Sequence, residues 1–221
     1  MPRPLTARAL RAFLDLFFRH LYTTLAWTYD AVAWITSVGQ WDAWRATALR
    51  WIPSRGRVLE LGPGTGHLLL RLRQQGRSAF ALEPSRQMAE ITRRRLRRHA
   101  LPCPVARGAA QSQPFPSEFF DAVVATFPSE YILEAATLSE IRRTLRPGGI
   151  VVIVAAAWPK GPAVWDRAAA WLFRVTGQTI APESAWTRPL SVSEIPLEME
   201  TVELPRGLVV VFHGRSPGMP Q

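Results

Sequence analysis

The chain of 221 residues holds a single cysteine, Cys103, so an internal disulfide and a cysteine-built metal cluster are both excluded. Such usage fits a reducing, cytoplasmic compartment. Lysine is almost absent: of 27 basic residues only Lys160 is one, and against 17 acidic residues the net charge of +10 is an arginine excess. That excess suits an anionic partner, whether nucleic acid, an anionic membrane surface or an anionic small molecule, and equally suits a merely solvated surface. Long apolar runs are missing as well. Leu10–Gln40 is rich in Leu, Phe, Trp and Ala, but Asp15, Arg19, His20 and Asp30 interrupt it, and no stretch reaches the roughly 18 uncharged residues of a spanning helix. Nor does it carry the apolar core and small-residue cleavage site of a secretory signal. No Ser/His/Asp constellation and no metal-ligand spacing stands out.

What is present is a folding composition, 48% apolar and 20% charged, enough for one α/β domain with additions. Leu10, Phe13, Leu14, Phe17, Leu21 and Leu25 recur at helical spacing. Trp27, Trp34 and Trp41, then Trp44 and Trp51, stand seven apart, which returns each to nearly the same helical face. Residues 1–52 therefore read as an N-terminal helical cap, with Gly39 separating two helices. After Pro53 short apolar runs alternate with helical stretches: Arg57–Leu61 then Leu68–Gln75, Ser78–Leu82 then Ser85–His99, Pro104–Arg107, Phe120–Phe127 then Ile132–Leu145, Ile150–Ala157 then Ala163–Val175. That alternation predicts a mostly parallel sheet with helices on both faces over residues 53–221. Glu200–Leu204 and Leu208–His213, joined by Pro205-Arg206-Gly207, read as an antiparallel hairpin. Pro182–Pro196 reads as a long loop or lid.

The strongest local signal is Val58-Leu59-Glu60-Leu61-Gly62-Pro63-Gly64-Thr65-Gly66-His67. A strand ends near an acid, and glycines then permit a left-handed turn and a close backbone approach to a ligand before a helix begins. The spacing is G-x-G-x-G; a dinucleotide fold would place its third glycine at His67. Glu83, 21 residues after Gly62 at the end of a second strand-like run, is placed to accept hydrogen bonds from both ribose hydroxyls of a nucleoside.

Together, Glu60-x-Gly62-x-Gly64-x-Gly66, Glu83, Phe120-Asp121-Ala122-Val123-Val124 and Leu145-Arg146-Pro147-Gly148-Gly149 resemble the class I S-adenosylmethionine-dependent methyltransferases. The resemblance implies a Rossmann-like, seven-stranded, mostly parallel sheet with an antiparallel C-terminal strand, and S-adenosylmethionine as cofactor. It puts the methionine end on Gly62, Pro63, Gly64, Thr65 and Gly66 with Glu60 orienting them, the ribose on Glu83 and Pro84, and the base near Met88. Where many relatives carry Gly-Asp-Ala-Glu, this chain has Gly108-Ala109-Ala110-Gln111, leaving adenine to backbone groups of Ala109 and Ala110, or to Gln111. Thr126 and Phe127 would line the transferring methyl. Phe127-Pro128-Ser129-Glu130-Tyr131 lacks the Asn of the Asn-Pro-Pro-Tyr type, which argues against nucleobase N-methylation.

Tyr29-Asp30-Ala31-Val32-Ala33, Ser37-Val38-Gly39-Gln40-Trp41 and Trp44-Arg45 resemble the cap of quinone-biosynthesis C-methyltransferases and bacterial phospholipid N-methyltransferases. This implies a small lipophilic acceptor, with a peripheral membrane location as a further expectation. Methyl transfer from a sulfonium needs mainly alignment, and a base only where the acceptor must lose a proton. Tyr22, Asp30 and Tyr131 are the catalytic candidates, followed by His20, Glu130 and His213; no metal is expected. The run Arg93-Arg94-Arg95-Leu96-Arg97-Arg98 is a solvated helix face, a phosphate-contacting surface or a patch for anionic lipid, and an RNA or protein methyltransferase guided by it is the alternative within the enzyme class. A fold retained as a non-catalytic nucleotide-binding module is the alternative of another class.

Overall fold

The computed structural model describes residues 37, 39–160 and 195–217. Seven strands form one sheet: β1 (Arg57–Leu61), β2 (Ser78–Glu83), β3 (Val105–Arg107), β4 (Phe120–Thr126), β5 (Leu145–Pro159), β6 (Glu198–Leu204) and β7 (Gly207–Arg215). Their order is β3-β2-β1-β4-β5-β7-β6. The first five run parallel, and β7 lies antiparallel to both β5 and β6. The expected fold class is therefore the observed one. Among the described residues four α-helices accompany the sheet: α1 (Trp41–Ala46), α2 (His67–Gln74), α3 (Arg86–Arg98) and α4 (Ala135–Thr144). None of the described helices is long and apolar enough to cross a membrane.

The central strands are buried on both sides because each face carries its own apolar layer. Val58, Ala122, Val124, Val152 and Val211 share one core with Leu68, Leu69, Leu72 and Leu96 of α2 and α3. Leu59, Leu61, Val123, Val151 and Phe212 share the other with Leu138 and Ile141 of α4. Asp121 fastens the strand starts: its carboxylate accepts from the Arg57 backbone N–H at 2.7 Å and pairs with Arg146 at 3.0 Å. A side chain at Gly56, where φ is +104°, would meet that carboxylate at 2.7 Å.

Several boundaries differ from the periodicity. The helix expected over Ile132–Leu145 is split into a 3₁₀ turn, Glu130–Leu133, and α4, because Glu134 is extended (φ −70°, ψ 135°). The strand expected at Ile150–Ala157 begins already at Leu145, whose backbone pairs with Phe120, so Arg146-Pro147-Gly148-Gly149 belongs to the strand and not to a preceding turn. The hairpin is as expected, with Leu204 opposite Gly207. Trp44 is completely buried in the first core, and Trp41 and Trp51 pack against the same cluster. The residues of the cap before Ser37, the helix expected over Ala163–Val175 and all but Ile195 and Pro196 of the Pro182–Pro196 loop lie outside the described residues.

Candidate active site

The chain leaves β1 and returns to the sheet on its two sides, β2 and β3 on one and β4 and β5 on the other. A crevice forms at the carboxyl ends of strands where the order reverses in this way. A cavity of about 470 Å³ opens there, within the usual range for small-molecule sites. Gly62, Pro63 and Gly64 after β1, Glu83, Pro84 and Ser85 after β2, Ala109, Ala110 and Gln111 after β3, and Thr126 through Ser129 after β4 line it, together with Trp41, Arg45, Leu82 and Tyr131.

The glycine turn is built by exclusion. Gly62, Gly64 and Gly66 have φ of +64°, +57° and +80°, the left-handed region that other residues occupy only at a cost. A Cβ on Gly62 would stand 2.9 Å from the Tyr131 hydroxyl, and one on Gly66 only 2.6 Å from Cγ2 of Thr92. Thr92 fastens the turn from beneath, its hydroxyl donating to the Gly64 carbonyl at 2.7 Å. Glu83 fastens it from the side: one carboxylate oxygen accepts from the Gly64 N–H at 3.2 Å, the other from the Ser85 N–H at 2.9 Å. Burial pushes the Glu83 carboxyl above its ordinary value, against the pull of these two N–H donors.

Glu60 sits directly behind the turn, 1% exposed, with Oε2 lacking any hydrogen-bond partner. Burial raises its carboxyl to about 8; the Glu83 charge pushes the same way, while Arg45 and the Leu69 N–H pull back. Tyr131 donates to the Leu61 carbonyl at 3.3 Å. Its phenol is held protonated well above the usual range by burial first, then by Glu83 and Glu60.

The opposite wall is aromatic. Phe127 takes φ of +50° as β4 ends, and its N–H donates to the Val154 carbonyl at 2.7 Å. Its ring stacks on Trp41 with centroids 4.3 Å apart, and Trp44 meets it edge-on at 6.5 Å. Arg45, also on α1, is 6% exposed; its guanidinium lies 5.3 Å from the Trp41 ring and 3.5 Å from Asp42.

Of the residues anticipated for the cofactor, Gly62, Pro63, Gly64, Glu83, Pro84, Ala109, Ala110, Thr126 and Phe127 come together on the cavity wall. Glu60, Thr65 and Met88 are buried at 1% exposure and stand behind that wall, as does Gly66. Tyr131 lines the cavity, whereas His20, Tyr22 and Asp30 lie outside the described residues. Glu130 is exposed, and His213 is stacked on Trp51 at 4.9 Å and faces Glu200 at 3.5 Å, away from the cavity. Trp41 and Arg45 as a lining pair were missed, although their four-residue spacing places them on one helical face. Ser85 and Ser129 carry no such signal in the sequence.

Comparison with known proteins agrees with this geometry. A family model described as a methyltransferase domain matches residues 59–153. The demethylmenaquinone methyltransferase of Symbiobacterium thermophilum is 28% identical over 181 residues, covering 78% of this chain and 70% of the relative. That of Clavibacter sepedonicus is 32% identical over 147 residues, covering 65% of this chain; the match spans only 60% of the relative's length. Among solved structures, geranyl diphosphate C-methyltransferase from Streptomyces coelicolor, in complex with Mg²⁺, geranyl diphosphate and S-adenosyl-L-homocysteine, superposes with a TM-score of 0.57 at 15% identity, covering 79% of each chain. With that fold, that turn and those relatives, residues 59–153 are a methyltransferase domain of the class I type, and S-adenosylmethionine is the cofactor that this domain takes.

Proposed function

We propose that this protein transfers a methyl group from S-adenosylmethionine to a small lipophilic acceptor. The cofactor's fit rests on three observations. The Glu83 carboxylate is tethered through one lone pair on each oxygen, which leaves a second on each for a pair of ribose hydroxyls. A Cβ on Gly64 would meet nothing within 4 Å, so the backbone there is open to close approach from the cavity. Phe127 holds a costly left-handed conformation at the cavity wall, the kind of local strain that clusters at functional sites.

In this reading Gly62, Pro63 and Gly64 hold the methionine end, backed by Glu60, Thr65 and Gly66. Glu83 and Pro84 hold the ribose, Ala109 and Ala110 flank the base with Met88 supporting the floor, and Thr126 and Phe127 face the methyl. When bound, the cofactor supplies an electrophilic methyl on a sulfonium, displaced in line by the acceptor. The protein's own task is to align the acceptor and exclude water. The Tyr131 phenol is held protonated with its one hydrogen given to the Leu61 carbonyl, so its oxygen is left to accept a hydrogen bond and position the acceptor. Where a proton must leave, the task falls to Tyr22 or Asp30 in the cap formed by residues 1–52 over the core of residues 53–221.

The observation that carries the acceptor class is the wall of Trp41 stacked on Phe127, continued by Pro128. It suits an apolar or planar group, and the demethylmenaquinone methyltransferases among the relatives put a quinol ring first among candidates. The arginine run favours no polymer substrate. Arg94 and Arg97 meet Glu90 at 3.2 and 3.9 Å, and Arg93 donates to the Val105 carbonyl. They occupy the second half of a 13-residue helix, about 12–18 Å along its axis from the Ser85 end that lines the cavity.

The test is methyl transfer from labelled cofactor to a demethylated quinol, to phosphatidylethanolamine in anionic vesicles, and to RNA. Label in the quinol or lipid fraction is expected. Label in RNA alone, collapsing steeply with salt, would make the arginine run the substrate guide, and cofactor binding without turnover on any acceptor would mark a non-catalytic module.

A further inference from the structure

Of the described residues that line the cavity, Arg45, Glu83 and Tyr131 are the titratable ones. Glu83 is committed to the Gly64 and Ser85 N–H groups, and Tyr131 has given its hydrogen to Leu61. Arg45 is the group whose bonding is unfinished. It is 6% exposed, and among the described residues its guanidinium makes one long hydrogen bond, from Nη1 to Oδ1 of Asp42 at 3.5 Å. His67 Nδ1 lies 3.3 Å from the same oxygen, and the Asp42 side chain is 54% exposed. A guanidinium has five N–H donors, and a cation this deep is costly unless it is paired and hydrogen-bonded.

The neighbours do not supply the missing charge. On the outer side a second cavity of about 200 Å³ sets Arg45 beside Asp42, His67 and Arg71, a single acid among basic side chains. On the inner side Glu60 feels the Arg45 charge, yet burial raises its carboxyl to about 8, so it keeps its proton at neutral pH. Its Oε2 takes no hydrogen bond. A positive charge that Asp42 answers only in part therefore stands in the cavity wall. It stands beside the aromatic surface as well: the guanidinium is 5.3 Å from the Trp41 ring, and that ring stacks on Phe127. A planar acceptor laid along Trp41 and Phe127 has this cation at its edge.

We propose that Arg45 is a catalytic residue that holds the acceptor as an oxyanion, so that the acceptor is a phenol, enol or quinol whose hydroxyl ionises in the cavity. This rests on the methyltransferase reading above and deepens it by naming the acceptor's chemical class. An opposite charge in contact favours the ionised form by about 1–3 pKa units, and its N–H donors are aimed where the negative charge sits before transfer. The hydroxyl's proton passes to water or to the base that the cap supplies. An electron pair of the oxyanion, or of the ring carbon conjugated with it, forms the new bond to the methyl carbon, and the pair of the broken sulfur–methyl bond stays on sulfur. Where carbon is methylated, its hydrogen then leaves as a proton and the ring regains its aromaticity.

The experiment follows the ionisation of a short-chain demethylated quinol, by the absorbance of its ionised ring, on the full chain saturated with S-adenosylhomocysteine. It compares wild type, Arg45→Lys and Arg45→Met without air from neutral to alkaline pH, with thermal melts confirming folding, and measures methyl transfer to the same quinol over the same range. On wild type the quinol should ionise about one pH unit or more below its value in free solution, and the rate should rise with the same apparent value. Arg45→Met should return both to the free value, lowering kcat/KM at neutral pH about tenfold for each unit recovered while keeping most of the alkaline rate. Arg45→Lys should keep most of the shift. Ionisation at the same pH with and without Arg45, or a rate loss equal at every pH, overturns the role of Arg45 and leaves the methyltransferase reading intact. So does a loss of S-adenosylhomocysteine affinity in Arg45→Met that 5′-methylthioadenosine, which lacks the carboxylate, does not share, because the oxyanion is then the cofactor's own. Label confined to phosphatidylethanolamine, which reacts through its amine, overturns it likewise. Folded wild type that labels no acceptor overturns the lipophilic-acceptor reading and this inference with it.

Discussion

Replacing Glu60 by glutamine tests the electrostatics behind the glycine turn in the absence of any ligand. Burial lifts the Glu60 carboxyl from 4.5 to about 8, so between those values the native chain keeps a proton that the unfolded chain releases. For an acid shifted upward, the contribution to stability is full below the unfolded value and is lost as the pH rises toward the folded one. The loss is at most about 1.4 kcal/mol per pH unit, or about 5 kcal/mol over the whole interval. Water reaching the site and relaxation around the charge reduce it, and about 2–4 kcal/mol between about pH 5 and about pH 8 is the expected range. Glutamine is close in shape to the protonated acid and does not titrate. Urea unfolding of wild type and Glu60→Gln across this interval should therefore show wild type losing stability relative to the variant as pH rises. A difference that stays constant with pH would refute the account, since it would mean that Glu60 has the same proton affinity folded and unfolded.

Two glycine substitutions should part company. Gly66→Ala forces a methyl against Thr92 and should cost about 2–4 kcal/mol in thermal unfolding. Gly64→Ala meets nothing in the protein, so it should cost only about 1 kcal/mol yet weaken S-adenosylhomocysteine binding about tenfold; equal losses of stability would contradict the packing described. Glu83→Ala removes the acceptor of the Gly64 and Ser85 N–H groups and should weaken the same ligand by about tenfold to hundredfold, measured by calorimetry against undiminished binding as the contrary result. Trp41→Ala strips the ring from Phe127 and should lower kcat/KM for a lipophilic acceptor about tenfold. Affinity for S-adenosylhomocysteine should change much less, and an equal fall in both would deny the separation of the two walls.

The parallel sheet and its turn were legible because both are written in local chemistry. Apart from Glu60, Val58-Leu59-Glu60-Leu61 and its partners are apolar on both faces, and G-x-G-x-G has few other uses directly after a strand. The Glu83 position followed from the same register. Glu134 shows where periodicity fails: Leu138 and Ile141 keep helical spacing after it, while this one extended residue separates them from the 3₁₀ turn that holds Ile132 and restarts the helix. The expected start of β5 fell short because Pro147 and Gly148 punctuate a turn in most sequences; here they sit in an irregularity between the Leu145–Phe120 pair and the ladder that resumes with Ile150 opposite Ala122. Arg45 was invisible as a lining group for another reason. Its spacing from Trp41 puts the two on one helical face, but that this face meets the cavity follows from Trp41 stacking on Phe127, a contact across 86 positions of sequence.

That contact also divides the cavity by which stretches of chain build it. The half around Glu83 draws on segments that follow β1, β2 and β3, all within one compact stretch of chain, whereas the aromatic half is a joint between α1 and the exit of β4. A duplicated gene could therefore rebuild one half by exchanging its first fifty or so residues and retuning Phe127-Pro128-Ser129, with Gly62, Glu83 and Ala109 left untouched. Diversification on this scaffold has a seam to follow, and the seam runs between two stacked rings.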